Sequence, residues 1–197
     1  MTRRRSMPRD HWRDHGAMQR VAIVGSSGAG KTWLAVRLAA TLGVSHVELD
    51  AIHHGPGWTP ASAQQMRAAL NTLCPVDGAW VADGNYGSKG GELVRARADT
   101  VIWLDLKRRV VMRQLVLRTA RRVVLRESLW NGNRESLRDA LSRDPERSVI
   151  AWSWTRYART RAEYAAQSDA RWIRLTDRVE VGRFLQASRD GRHAPAT

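Results

Sequence analysis

Residues 21–33 read VAIVGSSGAGKTW. A β-branched run ends at Gly25, further glycines follow at Gly28 and Gly30, and the stretch arrives at Lys31-Thr32. The run before the loop has the composition of a buried strand. The residues after it, KTWLAVRLAATLG (31–43), set Leu34, Leu38 and Leu42 at helical spacing, with Gly43 as a stop. The lysine stands out: of 33 basic residues only Lys31, Lys89 and Lys107 are lysines. A chain that otherwise carries its positive charge on arginine has a chemical reason for lysine at this point.

The rest of the chain repeats the strand–helix alternation. SHVELD (45–50) reads as a second strand, 51–60 as a loop rich in turn formers and 61–73 as a helix. AWVAD (79–83) is a third strand and 90–98 a short helix. TVIWLD (100–105) is a fourth strand, and a long basic helix follows over 107–126. Asn131, Gly132 and Asn133 break the helical pattern within 127–136, and a helix resumes near 134. Asp144-Pro145 reads as a cap and first turn opening a helix to about 167. RWIRL (171–175) is the fifth strand and 178–187 the last helix. Such alternation predicts the α/β class, a parallel sheet covered on both faces. In such sheets ligands bind beyond the carboxyl ends of the strands.

The 197 residues suffice for one mid-sized domain with a core, and 43% are hydrophobic. Residues 1–18 read as a flexible basic arm, 19–187 as the folded domain and 188–197 as a polar tail. No apolar run approaches the ~20 residues of a membrane helix. The basic N-terminus lacks the apolar stretch of a secretory signal, and a single cysteine, Cys74, excludes an intramolecular disulfide. A cytoplasmic location is the expectation, with no membrane partner. The formal charge of +14 favours phosphorylated or polyanionic partners.

Gly25, Ser26, Ser27, Gly28, Ala29, Gly30, Lys31 and Thr32 match G-x-x-x-x-G-K-[ST] at every fixed position, between a strand and a helix as the motif requires. Glycines let backbone N–H groups turn inward around phosphate oxygens. The helix opening near Lys31 adds its positive end. Lysine is a compact charge with rotatable donors for β- and γ-phosphates, where the planar fork of arginine fits poorly. Thr32 offers a hydroxyl to Mg2+. The predicted cofactors are therefore ATP or another nucleoside triphosphate, with Mg2+.

Magnesium with a nucleotide calls for carboxylates, and Asp50, Asp83 and Asp105 end predicted strands. Asp50 is expected to act as base or orienter for an acceptor hydroxyl, with Glu48 on the same strand face. Asp83, ahead of Gly84, Asn85 and Tyr86, is assigned to the metal, and Asp105 to the N-cap of the basic helix. Asn85 and Tyr86 fall on the acceptor side with Trp58, which either stacks on a flat substrate or packs its loop down. His53 and His54 are adjacent, but no histidine or cysteine cluster accompanies them.

Lys107 to Arg126 holds eight basic residues and no acid. Arginines flanking a mobile lid, about 118–145, would stabilise transferring phosphoryl oxygens on closure. Arg118 and Arg122, which share a helix face, are the catalytic candidates. Arg113, Arg121, Arg126, Arg134, Arg156 and Arg159 are further members of the set. WSWTRYARTR (152–161) interleaves aromatics with arginines, a pattern shared by single-strand nucleic-acid binders and by amphipathic helices.

With these residues in view, the chain resembles a small P-loop kinase of the adenylate-kinase-like group over about 20–187. GSSGAGKT, HVELDAIHHGPGW, WVADGNY and ADTVIWLD together look like the bacterial adenylate-kinase-related proteins often labelled topology modulation proteins. The resemblance implies a P-loop NTPase three-layer sandwich, with a five-stranded parallel sheet ordered 2-3-1-4-5 and a helical lid. It implies an adenine contact in LTDR (175–178), at Thr176 and Arg178. Asp83-Gly84 matches the group's strand-three Asp-Gly. Asn85-Tyr86-Gly87 stands where adenylate kinases have Phe-Pro-Arg, so the arginine for a nucleoside monophosphate is missing. Glu48-x-Asp50 resembles the acidic pair of shikimate and gluconate kinases, which implies a small hydroxylated acceptor. The function expected is transfer of a γ-phosphoryl group to a small hydroxylated or nucleotide-like acceptor. The alternatives are a nucleic-acid-associated ATPase or polynucleotide kinase, and a nucleotide-binding regulator without turnover.

Overall fold

A computed structural model describes residues 18–190. The expected N-terminal arm, apart from Met18, lies outside the described residues, as do positions 191–197 of the expected tail; 188–190 continue the last helix. Strand β1 (Arg20–Gly25) leads through the glycine loop into α1 (Lys31–Leu42). Then come β2 (Ser45–Glu48), α2 (Leu49–His53), α3 (Ala63–Leu73), β3 (Trp80–Asp83), α4 (Gly91–Arg97) and β4 (Thr100–Leu104). The second half holds α5 (Arg108–Val124), α6 (Leu137–Ala140), α7 (Val149–Gln167), β5 (Trp172–Leu175) and α8 (Arg178–Asp190).

The five strands form one sheet in the order β2-β3-β1-β4-β5, and every pairing is parallel. This is the expected architecture. β1 lies at the centre, and Val21 to Val24 are fully buried because both faces of that strand are covered. On one face Leu34 and Leu38 of α1, Val111 of α5 and Phe184 of α8 pack against Ile23, Ile102 and Ile173. On the other, Met66 and Leu70 of α3 and Val94 of α4 pack against Ala22, Trp80 and Trp103. Each fully buried side chain of this size contributes roughly 1.5–3 kcal/mol. Register brings the strand ends level, pairing Glu48 with Asp83 and Gly25 with Leu104. Among the described residues no helix is long and apolar enough to cross a membrane.

Several local expectations are corrected. β2 stops at Glu48, and Asp50 lies in the first turn of α2 rather than at a strand end, so Glu48 and Asp50 do not share a strand face. Gly84, at φ +145°, packs against Leu49 at this turn: a Cβ on Gly84 would stand 2.6 Å from that of Leu49. The span 51–60 is not plain loop but contains the end of α2 and a 3-10 turn, Pro56–Trp58. Asp105 is not a helix cap. α5 starts after Lys107 with no side-chain cap, while buried Asp105 accepts from Arg161 Nε at 2.8 Å and from Arg174 Nε at 2.9 Å. A buried carboxylate takes guanidinium partners, which neutralise it, in preference to a lone amide. The helix expected from 145 begins at Val149, where the Ser148 hydroxyl accepts from Ala151 N. Asp144 closes a separate turn, its carbonyl accepting from Ser148 N at 2.9 Å. Between α5 and α7 the helix expected from 134 amounts to one turn, α6.

Candidate active site

The glycine loop expected to bind phosphate, Gly25 to Thr32, stands at the carboxyl end of the central strand. Gly28 is at φ +88°, and a Cβ there would meet Val111 O at 2.7 Å, so the loop lies flat against α5 only because the residue is glycine. Gly30, at φ +93°, precedes α1, and no side chain caps that helix. Its first-turn amides have no intrahelical acceptor, which leaves them directed at the space over the loop. Asn85 anchors the loop's origin, donating to Gly25 O at 2.7 Å and accepting from Gly25 N at 3.3 Å. Ser153 of α7 donates to Ser27 O at 3.2 Å. Turned so that its amide nitrogen faces Gly28 O at 2.6 Å, Gln114 accepts from Arg178 Nε at 3.0 Å, linking the β5–α8 turn to the loop. Thr176 in that turn donates through its hydroxyl to Glu180 at 3.0 Å.

Lys31 bends back to donate to Ser26 O at 3.3 Å. Burial lowers its pKa against the attraction of Asp50, Asp83 and Glu48, with Arg118 adding repulsion. Lys31 is half-buried and Arg118 exposed at the level of the whole residue, yet desolvation lowers both pKa values.

Three carboxylates gather opposite. Thr32 Oγ1 donates to Asp83 Oδ2 at 2.7 Å and stands 3.5 Å from Glu48 Oε1. Asp83 Oδ1 lies 2.7 Å from His46 Nε2. Burial, with Asp83 and Asp50, raises the Glu48 pKa, while Trp130 and His46 pull it down. Asp50 Oδ1 accepts from the Tyr86 hydroxyl at 2.6 Å. Burial and the charges of Asp50, Glu48 and Asp83 push the Tyr86 pKa up, so the phenol keeps its proton and donates.

The segment after α5 folds over this group. The Trp130 ring stacks on His54, with centroids 5.4 Å apart, and Trp58 meets both edge-on. Asn131 Nδ2 donates to His54 O at 2.6 Å and Asn133 Nδ2 to Gly55 O at 2.9 Å, while Asn133 Oδ1 accepts from Trp58 N at 2.9 Å. Trp58 and Asn131 have positive φ, 60° and 55°, conformations that L-residues hold only when surrounding contacts fix them. Asn133 is 5% exposed. Asn133→Ala strips two cross-links from the closed segment and leaves partners unpaired, a cost of about 1–3 kcal/mol to the closed form. Limited trypsin digestion is expected to cut near Arg126 and Arg134 faster by roughly 5–150-fold, with little change in global unfolding.

Of the arginine candidates, Arg118 is placed within electrostatic reach of Lys31, Asp50 and Glu48. Arg122 pairs with Glu135 at 3.0 Å and flanks Trp130, its guanidinium 5.8 Å from the ring. Arg121 and Arg159 pair with Glu127 and Glu163 at the surface. In the aromatic–arginine stretch, Arg108 covers the Trp154 ring at 3.4 Å and Tyr157 donates to Leu106 O, contacts that seat α7 on the end of β4. His46, Trp130, Asn131, Asn133 and Glu135 carry contacts that the sequence reading does not single out as functional. Only His46 has a sequence signal, its two-residue spacing before Glu48.

No protein-family model matches the chain, and no curated protein matches it either. Solved structures do. A shikimate kinase from Bacteroides thetaiotaomicron superposes with a TM-score of 0.54 at 16% identity, covering 89% of this chain and 99% of that one. A gluconokinase from Sinorhizobium meliloti 1021 gives 0.52 at 15% identity, covering 88% and 90%. Strand order, helical layers and these two neighbours give the chain the P-loop kinase fold.

Proposed function

We propose that this protein is an ATP- and Mg2+-dependent phosphotransferase whose acceptor is a small hydroxylated or nucleotide-like molecule. One observation carries the reading: the glycine loop with Lys31 lies beside Asp50, Asp83 and Glu48 at the carboxyl edge of the sheet, with Thr32 bonded to Asp83. The fold neighbours, named as kinases, support it. Among adenylate-kinase-like proteins, the four motifs favour the subgroup labelled topology modulation proteins.

In this reading the amides of Gly25 to Thr32 and the Lys31 ammonium bind the triphosphate, with Thr176 and Arg178 beside the base. The donor set of Thr32 hydroxyl and Asp83 carboxylate, with Glu48 near, suits a hard oxygen-seeking ion. Among the described residues no group of three or more histidines, cysteines or acids could hold a metal ion. Thr32 and Asp83 would hold Mg2+, which supplies charge neutralisation on the phosphates. Asp50 takes the proton of the acceptor hydroxyl as that oxygen receives the γ-phosphoryl group, and ADP leaves. Arg118 and Arg122 face the transferring group, and the 127–136 segment excludes water. Trp58, Asn85 and Tyr86 border the acceptor.

Titration calorimetry with Mg·ATP, followed by a metabolite screen for ATP-dependent gain of one phosphoryl mass, tests this. Saturable nucleotide binding and one labelled product class are expected. Absence of binding to both ATP and GTP overturns the reading.

A further inference from the structure

Among the described residues, His46 is the one polar group hydrogen-bonded to the Asp83 carboxylate that the proposed chemistry does not use. It lies on β2 two residues before Glu48, so both side chains leave the strand on the same face. β2 pairs with β3 in parallel, with His46 opposite Val81 and Glu48 opposite Asp83, so His46 lies one two-residue step before Asp83 along the sheet. His46 Nε2 is 2.7 Å from Asp83 Oδ1, while Asp83 Oδ2 accepts from Thr32 at 2.7 Å. The Asp83 side chain is 3% exposed and that of His46 21%. A carboxylate held at both oxygens cannot rotate without breaking a bond. The histidine, with Thr32, therefore fixes the orientation of the carboxylate plane relative to the glycine loop.

We propose that His46 is a positioning residue for the metal: it engages Oδ1 and so presents Oδ2, beside the Thr32 hydroxyl, to the Mg2+ of the nucleotide complex. This rests on the phosphotransferase reading above. Without His46, Asp83 is free to turn, and the remaining neighbours on that side, Glu48 and Asp50, are like-charged and offer it no donor. Partners of this kind behind a ligating carboxylate are worth about 10–100-fold in metal affinity.

The test compares wild type with His46→Ala, His46→Asn and His46→Gln. The amide nitrogen of glutamine reaches about as far from the backbone as Nε2, whereas that of asparagine falls short. Two quantities are read: ATP affinity without divalent cation, and the Mg2+ concentration that half-saturates the ATP-dependent rise in thermal midpoint. Alanine and asparagine are expected to raise the half-saturating Mg2+ about 10–100-fold and to leave metal-free ATP affinity unchanged, with glutamine restoring most of the loss. Asparagine keeps the test alive should the alanine variant not fold. Unchanged Mg2+ dependence in the short variants overturns the proposal, as does failure of glutamine to restore it. Equal weakening of ATP binding with and without Mg2+ overturns it too. A wild type that binds no nucleotide overturns the phosphotransferase reading itself, a result visible before any variant is made.

Discussion

Lys31→Ala is expected to lower ATP-dependent turnover by at least about 10²–10³-fold without lowering the thermal midpoint of the nucleotide-free protein. Two independent arguments meet here. The ammonium is the one lysine in the cleft, folded back onto Ser26 O where a triphosphate tail would displace it. Its stability effect follows from its pKa, which burial pushes below the ordinary value despite three nearby acids. A base with a lower pKa folded than unfolded destabilises the fold at every pH below its folded value. That penalty begins to fade as pH rises through the folded value and is gone above the unfolded one. Alanine removes that penalty, so the resting fold is not weakened. Thermal scans with and without Mg·ATP, beside an initial-rate assay, check both halves. Retained activity overturns the assignment of the phosphate site, and a collapsed midpoint overturns the electrostatic account.

The legible part of the fold was the part governed by local pattern. The run 21–24 is uniformly apolar because a central parallel strand is covered on both sides, and such a strand cannot be mistaken for an amphipathic surface element. Strand order was legible only through the resemblance, since composition and spacing say nothing of which strand neighbours which. Boundaries failed where tertiary contact outweighs local preference. Asp105 has the sequence setting of a cap, but two arginines that arrive from 56 and 69 residues away claim it first. Asp144-Pro145 has the form of a helix start, yet the chain spends those residues on a turn, and Ser148 caps instead.

The site divides along the same line. The phosphate loop is contiguous, and its eight residues could be read from spacing. The proposed acceptor side draws on β2, α2, β3 and the segment after α5, so its partners are distant in sequence. Asn131 and Asn133 registered only as helix breakers. Their bonds to His54 O and Gly55 O, across 77 and 78 residues, have no local signature. Tyr86 was placed beside the acceptor, but its hydrogen bond to Asp50 across 36 residues had no signal in the chain.

That bond makes Asp50→Asn a sharp experiment. Tyr86 donates to Asp50 Oδ1, and the asparagine carbonyl can accept the same bond, so the substitution preserves packing and removes negative charge and the capacity to take a proton. Tyr86 cannot substitute as base, because burial and the neighbouring carboxylates hold its proton in place. If Asp50 receives the acceptor proton, kcat should fall about 10²–10⁴-fold, the usual contribution of a positioned base, with ATP affinity little altered. Lys31 loses one of the acids that attract it but keeps Asp83 and Glu48, so the phosphate site retains its charge balance. Single-turnover rates and ATP titrations on the same preparation separate the two effects. The reverse pattern, with ATP affinity falling and the rate of bound complex preserved, would move Asp50 from the acceptor to the nucleotide and leave the acceptor hydroxyl without a base in this cleft.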